Sequence, residues 1–222
     1  MPKVAVCLSG CGVFDGAEIH ESVLTLLALD QAGAQRLCCA PNVDQVSVID
    51  HLTKSPAAGT SRNVLSESAR IARGDISDLA TVRASAIDAL IFPGGLGAAK
   101  NLCDFADKGP ECGVHPEVER LTGEMLDMGK PIGAICIAPA MLSRIVGRRG
   151  MHPKITIGND KSTASAIECM GARHVECPCE SFVTDEAHRI VTTPAYMLGN
   201  GPAAIFEGIR KLVAEVLRLA AN

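Results

Sequence analysis

The stretch Lys130–Gly147 reads KPIGAICIAPAMLSRIVG, and its two halves follow different periodicities. Pro131 to Ile135 is an apolar run of strand length, whereas Met141, Leu142 and Ile145 recur on one face at helical spacing. The change falls at Cys136 with no loop between the halves, which predicts a strand, a sharp turn and a helix with a thiol at the turn. So tight a turn tolerates only small neighbours, and Ala134 and Ala138 stand two residues to either side. Pro139 suits the first turn of a helix, where its missing N–H costs nothing. This is the nucleophile-elbow arrangement, with Ala in both glycine places and Cys in place of Ser. A helix N-terminus is expected to lower the pKa of such a thiol. Backbone amides of Ile137 and of the Gly94-Gly95 loop are candidates to hold an oxyanion. The competing reading is one more buried apolar cysteine, which describes most of the other nine. The strand-elbow-helix context favours the nucleophile.

Working outward, Val4–Leu8 and Ala89–Phe92 are continuous apolar runs, as expected of strands buried on both faces. The first is followed by the glycine-rich loop Ser9–Gly16, the second by Pro93-Gly94-Gly95-Leu96-Gly97. A helix after the first loop carries Ile19, Val23, Leu26 and Leu27 as one apolar stripe, with Asp15 and Glu18 fitting a capping box at its start. Leu37–Ala40 reads as a second strand, and 42–61 as an irregular insertion with a hairpin or short strand. Arg62–Arg73 and Ile76–Ala86 read as short helices broken at Gly74. Val118, Leu121, Met125 and Met128 mark another helix. Beyond the elbow come a strand (Lys154–Ile157), a helix (Thr163–Met170), and strands around Phe182-Val183 and Arg189–Thr193. A last helix from Pro202 points Ile205, Ile209, Leu212, Val213 and Val216 inward. The alternation predicts a three-layer α/β/α sandwich on a mostly parallel, flavodoxin-like sheet, with residues 1–222 forming one domain. In such folds the working site lies at the C-terminal ends of the strands, where the Ser9–Gly16, Pro93–Gly97 and Cys136 loops all fall.

Composition excludes several classes. A hydrophobic content of 47% supports a generous core, and aromatics at 3% leave no stacking platform for bases. With a net charge of −4 and no basic cluster denser than Arg148-Arg149, neither nucleic acid nor an anionic membrane is an expected partner. No apolar run reaches the roughly 18 residues of a membrane span. The first residues lead directly into a strand, so a cytoplasmic chain is expected, or a mitochondrial one if a transit peptide has been removed. Ten cysteines do not form a disulfide framework, because several sit inside apolar strands. Cys177-Pro178-Cys179 is not a metal spacing, and no metal or cofactor is expected.

The other polar candidates are weaker on pattern alone. Glu21 falls opposite the Ile19/Val23 stripe and reads as a solvated glutamate. The glycines at 10, 12 and 16 miss the dinucleotide spacing by one residue and lack the acidic partner after the second strand. His174-Val175-Glu176 has the H-x-E spacing of cysteine glutaminases but follows Cys136 too closely in sequence, so a strand-edge histidine in solvent is expected. His20 and Glu21 are adjacent on a helix and do not face each other. No histidine emerges as a base.

Three segments together resemble the PfpI-like branch of the class I glutamine-amidotransferase-like superfamily: GAICIAPAML around Cys136, FPGGLGAAKNL (Phe92–Leu102) and LSGCGVFDGAEIHE (Leu8–Glu21). Within it, SRNVLSESARIARG (Ser61–Gly74) and VTTPAYML (Val191–Leu198) look like the glyoxalase ElbB group, formerly described as isoprenoid-biosynthesis proteins. The resemblance implies that Cys136 is the nucleophile and that Glu21 is the glutamate hydrogen-bonded to it, which reverses the reading of Glu21 above. It implies that Gly95 and Ile137 supply oxyanion amides. It also implies a homodimer and a cofactor-independent glyoxalase that turns glyoxal into glycolate through a Cys136 hemithioacetal, with a related protein deglycase activity. A redox sensor or chaperone, and a glutaminase-like subunit, are the alternatives. One departure stands out. Relatives with stronger activity carry a histidine on the strand after the elbow helix, and alignment of Lys154–Gly158 puts Gly158 there. Weak catalysis is therefore expected.

Overall fold

The computed structural model describes residues 1–199 and 201–221. Its main sheet has seven strands, apolar and buried at the centre and more polar toward the edges. These are β1 (Lys3–Cys7), β2 (Gln35–Ala40), β5 (Ser77–Asp78), β6 (Ala89–Phe92), β7 (Ile132–Ile135), β10 (Val183–Asp185) and β11 (Ile190–Thr193). They lie in the order β10-β11-β7-β6-β1-β2-β5, all parallel except the β10–β11 pair. Two further ladders are small: the hairpin β3 (Ile49–Asp50) with β4 (Ser55–Pro56) inside 42–61, and β8 (Lys154–Ile155) with β9 (Arg173–His174).

Alternation along the strands divides the core in two. Val4, Val6, Leu8, Ala89 and Ile91 point to the side covered by α1 (Ile19–Gln31), α2 (Val64–Ile71) and α8 (Pro202–Ala220). Ala5, Cys7, Leu90 and Phe92 point to the opposite side. That side holds α3 (Leu96–Lys100), α4 (Phe105–Lys108), α5 (Pro116–Asp127), α6 (Ala138–Arg148) and α7 (Lys161–Cys169). The result is the expected three-layer α/β/α arrangement. Helix α8 follows its sequence pattern, since Ile205, Ile209, Leu212, Val213 and Val216 are all buried.

Three expectations are corrected. Ile76–Ala86 is not a helix but β5 followed by two 3-10 turns, Leu79–Thr81 and Ala84–Ala86. Glu18 is itself the N-cap of α1, its Oε2 accepting the Glu21 N–H at 2.7 Å, so Asp15 takes no part in a capping box. Asp15 is instead buried in the glycine loop and accepts the Ile49 N–H at 2.7 Å. The third concerns the face of α1. Ile19, Val23 and Leu27 are 43%, 46% and 40% exposed, while Glu21, Ser22 and Thr25 are fully buried. The helix turns its polar face to the sheet.

Candidate active site

The order β6-β1-β2 places a topological switch point at β1, where the chain winds first to one side and then to the other. The loops after β1, β6 and β7 are therefore brought side by side. Backbone hydrogen bonds lock the first two together: Leu96 N–H to Val13 O at 2.8 Å, Gly97 N–H to Gly16 O at 2.9 Å, and Glu18 N–H to Gly94 O at 2.9 Å. Asn101 reinforces them through its Nδ2, which donates to Ser9 O at 2.8 Å and to Asp15 O at 2.9 Å. The glycines of this loop thus serve close packing of backbone on backbone, with no phosphate cradle needed to explain them.

Cys136 ends β7 with φ 62°, a left-handed conformation that a non-glycine residue adopts only when its surroundings impose it. Its N–H is held by Thr193 O at 2.9 Å on the neighbouring strand, and α6 begins two residues later. The elbow is formed as the small residues around it predict. Cys136 as a whole is 8% exposed.

Glu21 reaches this thiol from α1. Its carboxyl group lies beside the Cys136 side chain, both of them against Gly94. Oε2 accepts the Gly94 N–H at 2.9 Å, and Oε1 accepts the Tyr196 N–H at 3.2 Å. Two amide donors account for why a glutamate is tolerated with no exposure at all. Burial, then the nearby Glu18 charge, push the Glu21 carboxyl up to about 8. Burial also pushes Cys136 well above its usual range, with the Glu21 charge next in importance. The lowering expected from the helix N-terminus is thus outweighed. Two groups this close do not both ionise near neutral pH, so the pair carries at most one negative charge. The amides of Gly95 and Ile137 act against that rise at the sulfur.

Gly94 is no third oxyanion donor, contrary to expectation, because its N–H is committed to Glu21. It is needed for another reason. A Cβ there would collide with the Cβ of Cys136 and lie 2.6 Å from Glu21 Oε2. Gly95, at φ 91°, has the left-handed backbone that only glycine adopts freely and turns its amide to the sulfur.

Among the described residues no histidine is hydrogen-bonded to the thiol. Gly158 has φ 97°, and a Cβ on it would lie 2.7 Å from Leu198 Cγ and 3.3 Å from Pro194 Cβ, so leucine fills the space a histidine would use. His174 lies far along the chain on β9 and is half-buried, not in solvent as expected; burial lowers its pKa. Sequence reading missed Tyr196, the chain's sole tyrosine, whose backbone N–H bonds Glu21 and whose hydroxyl lies 2.6 Å from His20 Nδ1. His20 and Glu21 indeed face apart, yet Tyr196 joins them. The only available signal was its place inside VTTPAYML. Among the described residues, no group of three or more His, Cys, Asp or Glu is arranged to hold a metal ion.

A cysteine elbow facing a buried glutamate, on a parallel sheet of this order, defines the class as glutamine-amidotransferase-like class 1, with a fold that DJ-1 structures share. The fold likeness extends to Drosophila melanogaster DJ-1beta, with a TM-score of 0.57, 19% identity, and coverage of 99% of this chain and 96% of that one. No protein-family model matches the chain. Individual relatives do. The human glutamine amidotransferase-like class 1 domain-containing protein 3, mitochondrial, is 46% identical over 98% of this chain and 83% of its own length. The zebrafish ES1 protein, mitochondrial, is 34% identical over 99% and 87%. The crystal structure of an isoprenoid biosynthesis protein with an amidotransferase-like domain from Ehrlichia chaffeensis superposes with a TM-score of 0.92, 37% identity and 99% coverage of both chains. The chain belongs to this ES1-like family of glutamine amidotransferase-like class 1 proteins.

Proposed function

We propose that the protein is a slow, cofactor-independent glyoxalase acting on small 2-oxoaldehydes, with Cys136 as nucleophile and Glu21 as its proton-transfer partner. The Glu21 carboxyl placed beside the Cys136 side chain, both of them against Gly94, carries the proposal. The thiol adds to one aldehyde carbon of glyoxal, and its proton passes to the new oxygen, giving a hemithioacetal. Proton transfer between the two carbons then gives a thioester, and water releases glycolate and the free thiol. Glyoxal plus water equals glycolic acid, so no oxidant is needed. A carboxyl group held near 8 is protonated or ionised as each step requires. The filled space beside Gly158 supports slowness, since a positioned acid or base is typically worth about 100- to 10,000-fold. Glycolate formation by wild type and by Cys136→Ser tests the reading. Loss of nearly all turnover in the variant is expected, and equal rates would overturn it. Release of glycated adducts from proteins belongs to the same proposal.

One observation favours a second reading. A protonated Glu21 beside the sulfur is placed to donate to a sulfinate, which suits peroxide sensing. Intact mass after mild peroxide distinguishes it: two oxygens gained at Cys136, without glyoxalase turnover, would replace the first reading. The shared elbow leaves a glutaminase role without a histidine beside the thiol, and nothing on the structure favours it.

The proposal includes a homodimer through the exposed face of α1. That face borders a groove of about 830 Å³ between α1 and α2, lined by Ile19, Val23, Leu26, Leu27 and Ile71. Its edge carries both Arg73 and Asp75, so a two-fold-related copy meets opposite charges. For the compartment, the word mitochondrial in the relatives' names supports a mitochondrial location over a cytoplasmic one. No described helix is long and apolar enough to cross a membrane.

A further inference from the structure

All ten cysteines are free, and two pairs of them touch. Cys103 and Cys112 flank the segment that links α3 to α5. A short antiparallel ladder holds them: His115 N–H to Leu102 O at 2.8 Å, Cys103 opposite Val114, and Asp104 N–H to Gly113 O at 3.1 Å. Residues two apart on an extended chain share a face, so Cys112 projects on the side of Val114, toward Cys103. The two thiols hydrogen-bond each other. Arg144 Nε and Arg148 Nη2 of α6 donate to the Cys112 carbonyl at 2.9 and 3.4 Å, which places two guanidinium groups beside this thiol.

We propose that Cys103 and Cys112 form a second redox site, a dithiol that a hydroperoxide converts to a reversible disulfide independently of Cys136. The two thiols have different parts. The hydrogen bond with Cys103 and the two arginines lower Cys112, making it the first to ionise; the same hydrogen bond and burial push Cys103 up. The Cys112 thiolate attacks one peroxide oxygen, the O–O bond breaks, and Cys112 becomes a sulfenic acid while the other oxygen leaves as water or an alcohol. The Cys103 sulfur then attacks the Cys112 sulfur, the S–O bond breaks, and a second water leaves. Two thiols and one hydroperoxide give one disulfide, one alcohol or water, and one water. The two electrons come from the thiols.

Access separates this pair from the other. Cys103 and Cys112 are 5% and 0% exposed, but none of the residues from 104 to 111 that join them is itself buried. Such a superficial segment opens locally at little cost. Cys7 and Cys39 lie opposite each other in the register of β1 and β2, both with no exposure, inside the seven-stranded sheet. Burial and its hydrogen bond with Cys7 push Cys39 well up. Exposing that pair requires opening the sheet, and no cation is paired with it. It is the built-in control.

The test uses the full chain, freshly reduced and freed of reductant, treated with one equivalent of hydrogen peroxide. Remaining thiols are blocked in denaturant and the digest is read by mass spectrometry without reduction. The expected result is a linked 103–112 species, lighter by two hydrogens and lost on reduction, with Cys7 and Cys39 blocked as free thiols. The same species should form in Cys136→Ala, which separates this site from the proposed glyoxalase. Cys103→Ser should leave Cys112 as a sulfenic acid trapped by dimedone, and Arg144→Gln should slow linkage several-fold. Cys103 and Cys112 blocked as free thiols at a dose that oxidises Cys136 would overturn the proposal. Linkage of Cys7 to Cys39 in equal yield would also overturn it, by showing that unfolding and not the local arrangement governs the chemistry.

Discussion

Helices α1 and α8 cover the same side of the sheet, and they are oriented by opposite rules. Helix α8 buries its apolar stripe and leaves its charges in solvent, Arg210 pairing with Glu207 at 2.9 Å on the outside. Helix α1 buries a glutamate, a serine and a threonine and leaves Ile19, Val23 and Leu27 exposed. Its buried polar groups are satisfied within a few ångströms: Ser22 Oγ donates to Glu18 O and Thr25 Oγ1 to Glu21 O, each at 2.7 Å. The difference teaches that α8 is held by transfer of apolar surface from water, whereas α1 is held by what Glu21 must reach. One helix serves the core; the other serves the thiol.

The largest way to break the comparison lies on α8. Leu212→Ala, at a site with no exposure, should cost about 2–5 kcal/mol in denaturant unfolding. Glu21→Gln should be milder toward stability and severe toward chemistry. Turnover should fall about 100-fold or more, as for the loss of a general acid or base. Its stability effect should also depend on pH. Between 4.5 and about 8 the folded chain keeps the Glu21 proton that the unfolded chain has released. Wild-type stability should therefore decline through that window, by an amount of order a few kcal/mol, and Glu21→Gln should flatten the decline. Denaturant midpoints at pH 5 and 8 for both chains check the sign, and a wild type that gains stability on going to pH 8 relative to the variant would refute it. The smallest effect belongs to the outer face of α1. Val23→Asp should leave monomer unfolding within about 0.5 kcal/mol. Light scattering should show the proposed dimer in the wild type and its dissociation in the variant, and a monomeric wild type, or a dimer of unchanged affinity in the variant, would refute the proposed interface.

The sheet was legible because each central strand is apolar on both faces, a pattern that a run such as Ala89–Phe92 displays without help from distant residues. The elbow was legible because a change of periodicity, a pair of alanines and a proline all fall within a few residues of Cys136. The orientation of α1 was not, because periodicity reveals that a helix has an apolar face and not what that face meets. Ile76–Ala86 misled for a related reason: Leu79 and Val82 are buried three residues apart, an interval that a 3-10 turn produces as well as a helix does. Glu21 and Tyr196 are separated by nearly the whole chain, so no local pattern announces their hydrogen bond. Family resemblance supplied Glu21 but not Tyr196.

The packing around Gly158 also constrains how this protein can change over time. A histidine introduced there alone meets Leu198 and a backbone angle that favours glycine, so the first substitution is harmful before any gain is possible. Shrinking Leu198 first opens a void and offers nothing in return. The route to a faster site thus requires coordinated changes in two segments, each disadvantageous by itself. On the proposed function, slow chemistry is kept in place by the fit of a leucine.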